Sequence, residues 1–278
     1  MDAYTKRKFN KVVSDAIADI LANGFDSMER VERWQERLRR AAQATLMPER
    51  ELNDMLNEGL SQVYERLVGS GQLVRRNAGV SQFTIDKVRP ELRRLLDSRI
   101  MASADLIKRN RQQSIEKTLA RFSGWATSIP PGGGAPVDKK GTKSDIGKAL
   151  KQLPFEERRV LIDQGHKLTA SINEVVAIGG NAIAMKWRSN WRQPGYDYRE
   201  DHRERDGQIY LLRDSWAASA GLVKKGNNEY YDDVTKVGQM PFCRCHATWL
   251  YSLRDLPEDM ITTKGKAELE RVRAQMRG

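Results

Sequence analysis

Gly179-Gly180-Asn181-Ala182-Ile183-Ala184-Met185-Lys186-Trp187-Arg188-Ser189-Asn190-Trp191 is the stretch in which the chain changes character. Upstream of it, Phe155, Val160, Leu161, Leu168, Ile172, Val175 and Val176 recur at helical intervals. That pattern carries on to Ile183 and Met185, with Gly179-Gly180 as a bend or interruption. After Trp187, tryptophan, tyrosine, glycine, proline and asparagine become frequent, and short β-like runs lie between turn signals. The change predicts an α+β protein: an all-helical N-terminal region followed by a compact C-terminal α+β module over residues 144–256.

Residues 1–80 read as an N-terminal helical bundle. Phe9, Val13, Ala16, Ile17 and Ile20 form one apolar stripe that stops at Gly24. Val31, Trp34, Leu38 and Ala41 form a second, and Pro48 opens a third with Leu52, Leu56, Leu60, Val63 and Leu67. Short connections favour antiparallel helices whose stripes pack on one another or on a neighbouring chain. A bundle this short is expected to leave part of its apolar surface for docking to other proteins. The pattern breaks around Gly69-Ser70-Gly71 and Asn77-Ala78-Gly79, and Ser81 to Ile85 reads as a short strand or loop.

Residues 81–143 read as a basic helical segment and a linker. Val88, Leu92, Leu95, Leu96 and Ile100, then Ile107, Ile115, Leu119 and Phe122, supply the apolar face. Between Lys87 and Arg121 stand ten basic residues against the four acids Glu91, Asp97, Asp105 and Glu116. Arg89, Arg93, Arg94, Lys108, Arg109 and Arg111 are therefore the candidate nucleic-acid contacts. Pro130-Pro131-Gly132-Gly133-Gly134-Ala135-Pro136 cannot continue a helix and reads as a loop or linker. Residues 257–278 return to helical composition, with Leu269, Val272 and Met276 on one face.

The 278 residues, 39% of them hydrophobic, suffice for a real core. A formal charge of +11 favours polyanionic partners, although the same charge also serves simply to keep a protein in solution. No apolar run approaches the ~18 residues of a membrane span. The N-terminus lacks the apolar centre of a secretory signal, so synthesis and use in a cytoplasm are expected. Cys243 and Cys245, the two cysteines, are one residue apart. A disulfide closing so small a ring would be badly strained, and both are expected to be reduced.

Among the three histidines, His166 follows Gly165 at an expected helix junction and reads as an exposed or capping residue. His202 lies in His202-Arg203-Glu204-Arg205-Asp206-Gly207, and the cysteines lie in Pro241-Phe242-Cys243-Arg244-Cys245-His246. If residues 243–245 are extended, both sulfurs point to one face. Three chemistries stay open. His202, Asp206, Gly207, Cys243 and Cys245 can be a structural constellation, clamping two segments by packing and hydrogen bonds. His202, Cys243 and Cys245 can hold zinc, with Asp206 or Asp201 as a fourth ligand, although no cofactor is expected on balance. His202 and Asp206 can act as acid and base of a nuclease- or transferase-like enzyme on nucleic acid. Other enzyme templates are absent: Gly132-Gly133-Gly134 lacks the Lys-Ser/Thr ending of a P-loop, and neither G-x-S-x-G nor H-E-x-x-H occurs.

Taken together, these residues resemble the phage Mu F-like head morphogenesis family, the minor head proteins of tailed bacteriophages. The resemblance is carried by Ile172-Asn173-Glu174 as a variant of I-x-x-T-E, and by the Trp187–Trp191 stretch. His202 to Gly207 supplies H-x-x-x-D-G, and Pro241 to Cys245 supplies P-x-C-R-C. Asp105-Leu106-Ile107-Lys108 resembles the helical lead-in, and the match runs over residues 86–252. The chain departs from the pattern at Asn173, where threonine is usual, and in the aromatic-rich insert Gln208 to Tyr231. The resemblance implies a non-enzymatic, low-copy virion protein, made in the host cytoplasm and placed in the phage head. Its implied partners are the portal, the major capsid protein and double-stranded DNA, with self-association left open.

Overall fold

The computed structural model describes residues 3–134 and 136–277. In chain order its helices begin with α1 (Ala3–Asn23), α2 (Met28–Gln43), α3 (Glu49–Val68), α4 (Gln72–Arg76) and α5 (Gln82–Ala126). They continue with α6 (Lys139–Ile146), α7 (Lys148–Gly179), α8 (Glu200–Glu204), α9 (Trp216–Ser219) and α10 (Thr263–Gln275). Three strands, β1 (Ala184–Arg188), β2 (Ile209–Leu211) and β3 (His246–Leu250), lie in the C-terminal part. The fold is α+β, as the sequence predicts.

Two compact units form, Met1–Asn57 with Met101–Leu161 and Glu58–Ile100 with Ile162–Gly278. This division falls within α3, α5 and α7. A helix shows no change of composition where it passes from one core to another, so sequence texture does not mark these points.

The first unit is helical. Phe9, Val13, Ala16, Ile17 and Ile20 of α1 are buried in one cluster with Val31, Leu38 and Ala42 of α2 and Ile115, Leu119 and Phe122 of α5. The first two stripes expected to seek an outside partner are satisfied within the chain. Each fully buried aliphatic side chain contributes about 1.5–3 kcal/mol to holding them there. The helix ends follow local chemistry: Ser27 accepts from the Arg30 N–H to cap α2, and Asp138 accepts from the Lys140 N–H to cap α6.

The glycine run is not a free linker. Gly134 donates its N–H to Leu21 O at 3.1 Å, and Phe25 donates to Ile129 O at 3.3 Å. These bonds dock the run on the C-terminal turn of α1. A Cβ on Gly133 would lie 2.4 Å from Leu21 O, so only glycine allows the approach. Orphan carbonyls at the end of α1 thereby gain a donor.

Arg111 corrects one expectation. Its side chain is 9% exposed and donates through Nε to Glu157 Oε1 at 2.6 Å and through an η nitrogen to Met47 O at 2.9 Å. It is a structural cation of the first unit and is withheld from any phosphate backbone. The apolar stripes of α5 bury one side of the helix, and Arg111 falls on that side, which a charge count cannot register.

The second unit is built on an antiparallel sheet of order β2-β1-β3. Met185 of β1 lies opposite Tyr210 and Trp249, and Ala184 lies opposite Leu211 and Leu250. Central β1 is buried on both faces. Ile183 and Ala184 join Leu211, Ala217, Leu222, Leu250, Leu253 and Met260 on one side. Met185 and Trp187 join Tyr210, Tyr231, Cys243, Cys245 and Trp249 on the other. Helix α7 therefore ends at Gly179, and Ile183 and Met185 belong to the strand region rather than to a continued helix. Asn181, at a φ of 62°, turns the chain between the two. The Ser81 to Ile85 stretch is the start of α5, with Ser81 Oγ accepting from the Thr84 N–H, rather than a strand or loop. His166 lies inside α7 rather than at a junction.

Replacing Arg111 by alanine strands Glu157 in a poorly hydrated site and is expected to cost about 3 kcal/mol of unfolding free energy. Arg94→Ala, on an exposed helix face, is expected to change stability by less than about 0.5 kcal/mol. Urea unfolding of the two variants measures the difference, and equal stabilities would return Arg111 to the pool of surface cations.

Candidate functional site: a buried histidine and two cysteines

Helix α8 is one turn long, and its middle residue, His202, is 2% exposed. The ring is set edge-on to Trp187 of β1, with centroids 5.3 Å apart. Trp187 itself is fully buried. One ring nitrogen of His202, Nδ1, faces both cysteines, 3.6 Å from Cys243 Sγ and 3.4 Å from Cys245 Sγ. The other, Nε2, lies 3.8 Å from Asp201 Oδ2. The three donor atoms all lie within 4.8 Å of one another, and all three residues are buried. Both thiols are free.

The segment that carries the sulfurs is irregular and leads into β3. It is fixed by side chains from elsewhere in the second unit. Phe242 adopts a φ of 59°, a conformation that a bulky residue takes only when held there. Its N–H donates to Asp163 Oδ1 at 2.6 Å, and Asp163 also pairs with Lys167 at 2.8 Å. Arg244 donates its N–H to Tyr196 Oη at 3.1 Å, and Arg244 O accepts from Asn190 Nδ2 at 2.8 Å. Pro241 O accepts from Arg199. With the backbone clamped on both sides of each cysteine, the two sulfurs have little freedom to leave His202.

Asp206 holds the turn beside the cluster. Its Oδ1 accepts from the Ser189 N–H at 2.9 Å, and its Oδ2 accepts from Trp191 Nε1 at 3.1 Å. Both oxygens thus hold the turn that follows β1, and Asp206 is not among the donors clustered around His202. The Ser189 N–H, followed by the Trp191 indole, holds the Asp206 carboxyl below its ordinary range, against opposing desolvation. Gly207, at a φ of 83°, sends the chain from α8 towards β2 and donates its N–H to Trp187 O. The D-G element is a turn device.

Electrostatics make the cysteines unequal. The Cys243 thiol is pulled down to about 5, first by a hydrogen bond with Cys245, then by the backbone N–H groups of Cys245 and Gly238 and the nearby His202, with burial opposing. Cys245 is pushed up, first by its hydrogen bond with Cys243, then by its own burial and by the charge on Cys243. The Trp187 indole N–H is buried with no hydrogen-bond partner, and it lies where it favours negative charge on Cys245.

The structure therefore unites His202, Cys243 and Cys245, places Asp206 and Gly207 in the adjoining turn, and adds Asp163, Ser189, Asn190 and Tyr196, which the sequence did not single out. Asp163 is signalled only as an acid four residues before Lys167, a common surface pattern, and its burial has no mark in the sequence.

Because the folded Asp206 pKa is depressed, its contribution to stability is present above the ordinary carboxylate value of about 3.9 and is lost as the pH falls through the lower folded value. Asp206→Ala should lower unfolding free energy at pH 7 by about 1–2 kcal/mol, with the deficit shrinking towards zero in acid. Chemical denaturation of both proteins from pH 7 downwards reads this, and a deficit independent of pH would assign the loss to packing. Comparison of the chain with models of protein families, with curated proteins and with solved structures gives no match.

Proposed function

We propose that this chain is a structural minor head protein of a tailed bacteriophage, acting in head assembly and genome delivery at the portal and against the major capsid protein. The single observation that best supports the proposal is the convergence of the residues that carry the family resemblance. His202 and the cysteines are 41 and 43 positions apart, yet they form one buried cluster beside Trp187, with Asp206-Gly207 closing the neighbouring turn. A motif that assembles into a fold-holding clamp suits a virion component that must survive packaging. A histidine at 2% exposure and an aspartate with both oxygens engaged do not suit acid–base turnover of a polymer.

Double-stranded DNA is the proposed polyanionic partner. Arg94 and Arg109 stand exposed on α5. Arg89, Arg93 and Lys108 are engaged in solvent-exposed pairs with Asp86, Asp97 and Glu49. Such pairs contribute only about 0–1 kcal/mol each, so a phosphate can replace the carboxylate at little cost. The head of the particle is the proposed location, reached from the host cytoplasm.

Mass spectrometry of particles purified from cells that encode this chain tests the assignment. The chain is expected at low copy in DNA-filled heads, and its absence from heads would overturn the proposal. For the DNA contact, binding of the full chain to duplexes of unrelated sequence should weaken with salt at a log–log slope of about −0.9 per phosphate neutralised. Reversing Arg89, Arg93, Arg94, Lys108 and Arg109 to glutamate should abolish it. Binding that survives these reversals removes DNA from the partners of α5.

A further inference from the structure

We propose that His202 Nδ1, Cys243 Sγ and Cys245 Sγ are the protein ligands of one structural zinc ion. The geometry is the first argument. Zinc bonds of about 2.3 Å to sulfur and 2.0–2.1 Å to imidazole nitrogen, set at a tetrahedral angle, hold nitrogen and sulfur about 3.5 Å apart. The two observed separations, 3.6 and 3.4 Å, straddle that value. A weak thiol hydrogen bond also tolerates such distances. It does not require, however, that one ring nitrogen face two sulfurs equally, since a single N–H or lone pair serves only one of them at a time.

Charge supplies the second argument. Two thiolates, a neutral imidazole and a divalent cation sum to zero, so the ion lets a buried pocket hold both sulfurs deprotonated without a net charge. Soft thiolates with an imidazole select zinc over magnesium or calcium.

The surroundings supply the third. A ligating histidine ordinarily turns its other ring nitrogen to a carboxylate, which fixes the tautomer. Here Asp201 Oδ2 stands 3.8 Å from Nε2, on the nitrogen that does not face the sulfurs. Ser189 Oγ lies 3.8 Å from Cys245 Sγ and lines the cluster where a fourth ligand, a water or the hydroxyl itself, completes the tetrahedron. Asp206 is turned to the Ser189 N–H and the Trp191 indole and is not among the clustered donors. The site is independent of the virion assignment and stands or fails separately from it.

The full chain, purified under reducing conditions without chelator, is expected to carry about one zinc per molecule by elemental analysis. Stripped and titrated with cobalt(II), it should develop a near-ultraviolet sulfur-to-cobalt charge-transfer band and the visible bands of a tetrahedral ion. Cys243→Ser and Cys245→Ser should lose the charge-transfer band, whereas His246→Ala should keep it. Asp201→Asn, on an exposed residue, should fold normally and bind the metal roughly ten- to a hundredfold more weakly. A folded wild-type chain that holds no zinc and gives no charge-transfer band would overturn the proposal. Full zinc content in the double Cys243→Ser, Cys245→Ser variant would do the same, because the ion would then lie elsewhere. If the ligand variants fail to fold, the wild-type cobalt spectrum and the Asp201→Asn affinity still decide.

Discussion

A single imidazole nitrogen faced by two sulfurs holds the C-terminal module together. His202 reaches Cys243 and Cys245 from a helix of one turn, too short to be stable by itself, and the cysteines lie on a segment with no regular hydrogen bonding of its own. The cysteine segment is held by side chains from elsewhere in the unit, and the contact ties α8 to it. Strand β1 buries Met185 and Trp187 on the face that also takes Tyr210, Tyr231, Trp249 and the two cysteines, with the His202 ring edge-on to Trp187. A three-stranded sheet needs at least one covered apolar face to be stable. With both faces covered it becomes the centre of the unit.

Around that contact, polar side chains perform work that a regular ladder would otherwise do. Asp163 and Tyr196 each take an N–H of the cysteine segment, Asn190 and Arg199 each supply a donor to one of its carbonyls, and Asp206 takes the N–H of Ser189. Each of these groups would otherwise be a backbone donor or acceptor left without a partner, at a cost of about 1–3 kcal/mol where buried. The arrangement favours rigidity over access.

Much of this was legible beforehand, for reasons that differ by residue. Gly24 announces the end of α1 because a glycine stop is local chemistry. The stripes from Phe9 to Ile20 and Val31 to Leu38 announce burial because they have the helical period. His202, Cys243 and Cys245 stood out because their residue types are scarce in this chain, and so their convergence could be suspected across more than 40 positions. What escaped notice depends on long-range packing. Arg111 looks like any other cation of its run until Glu157 is brought to it by the fold. Gly132 to Gly134 looks like a linker until the end of α1 is found beneath it. Asp206 looks like a catalytic partner of His202 because they are four residues apart. The turn after β1 claims it first, through a tryptophan fifteen positions away. The division into two units escaped notice because it falls within helices.

Hydrogen exchange, read by mass spectrometry on the wild-type chain and on His202→Ala, puts the role of the imidazole to the test most directly. Loss of the ring should cost β1, the turn at Ser189 to Trp191 and the segment from Pro241 to Cys245 their protection together, as one cooperative unit. Amides of α1 and α2, held by their own core, should exchange as before. Deprotection confined to the single turn of α8, with β1 and the cysteine segment unchanged, would contradict the view that this contact holds the module.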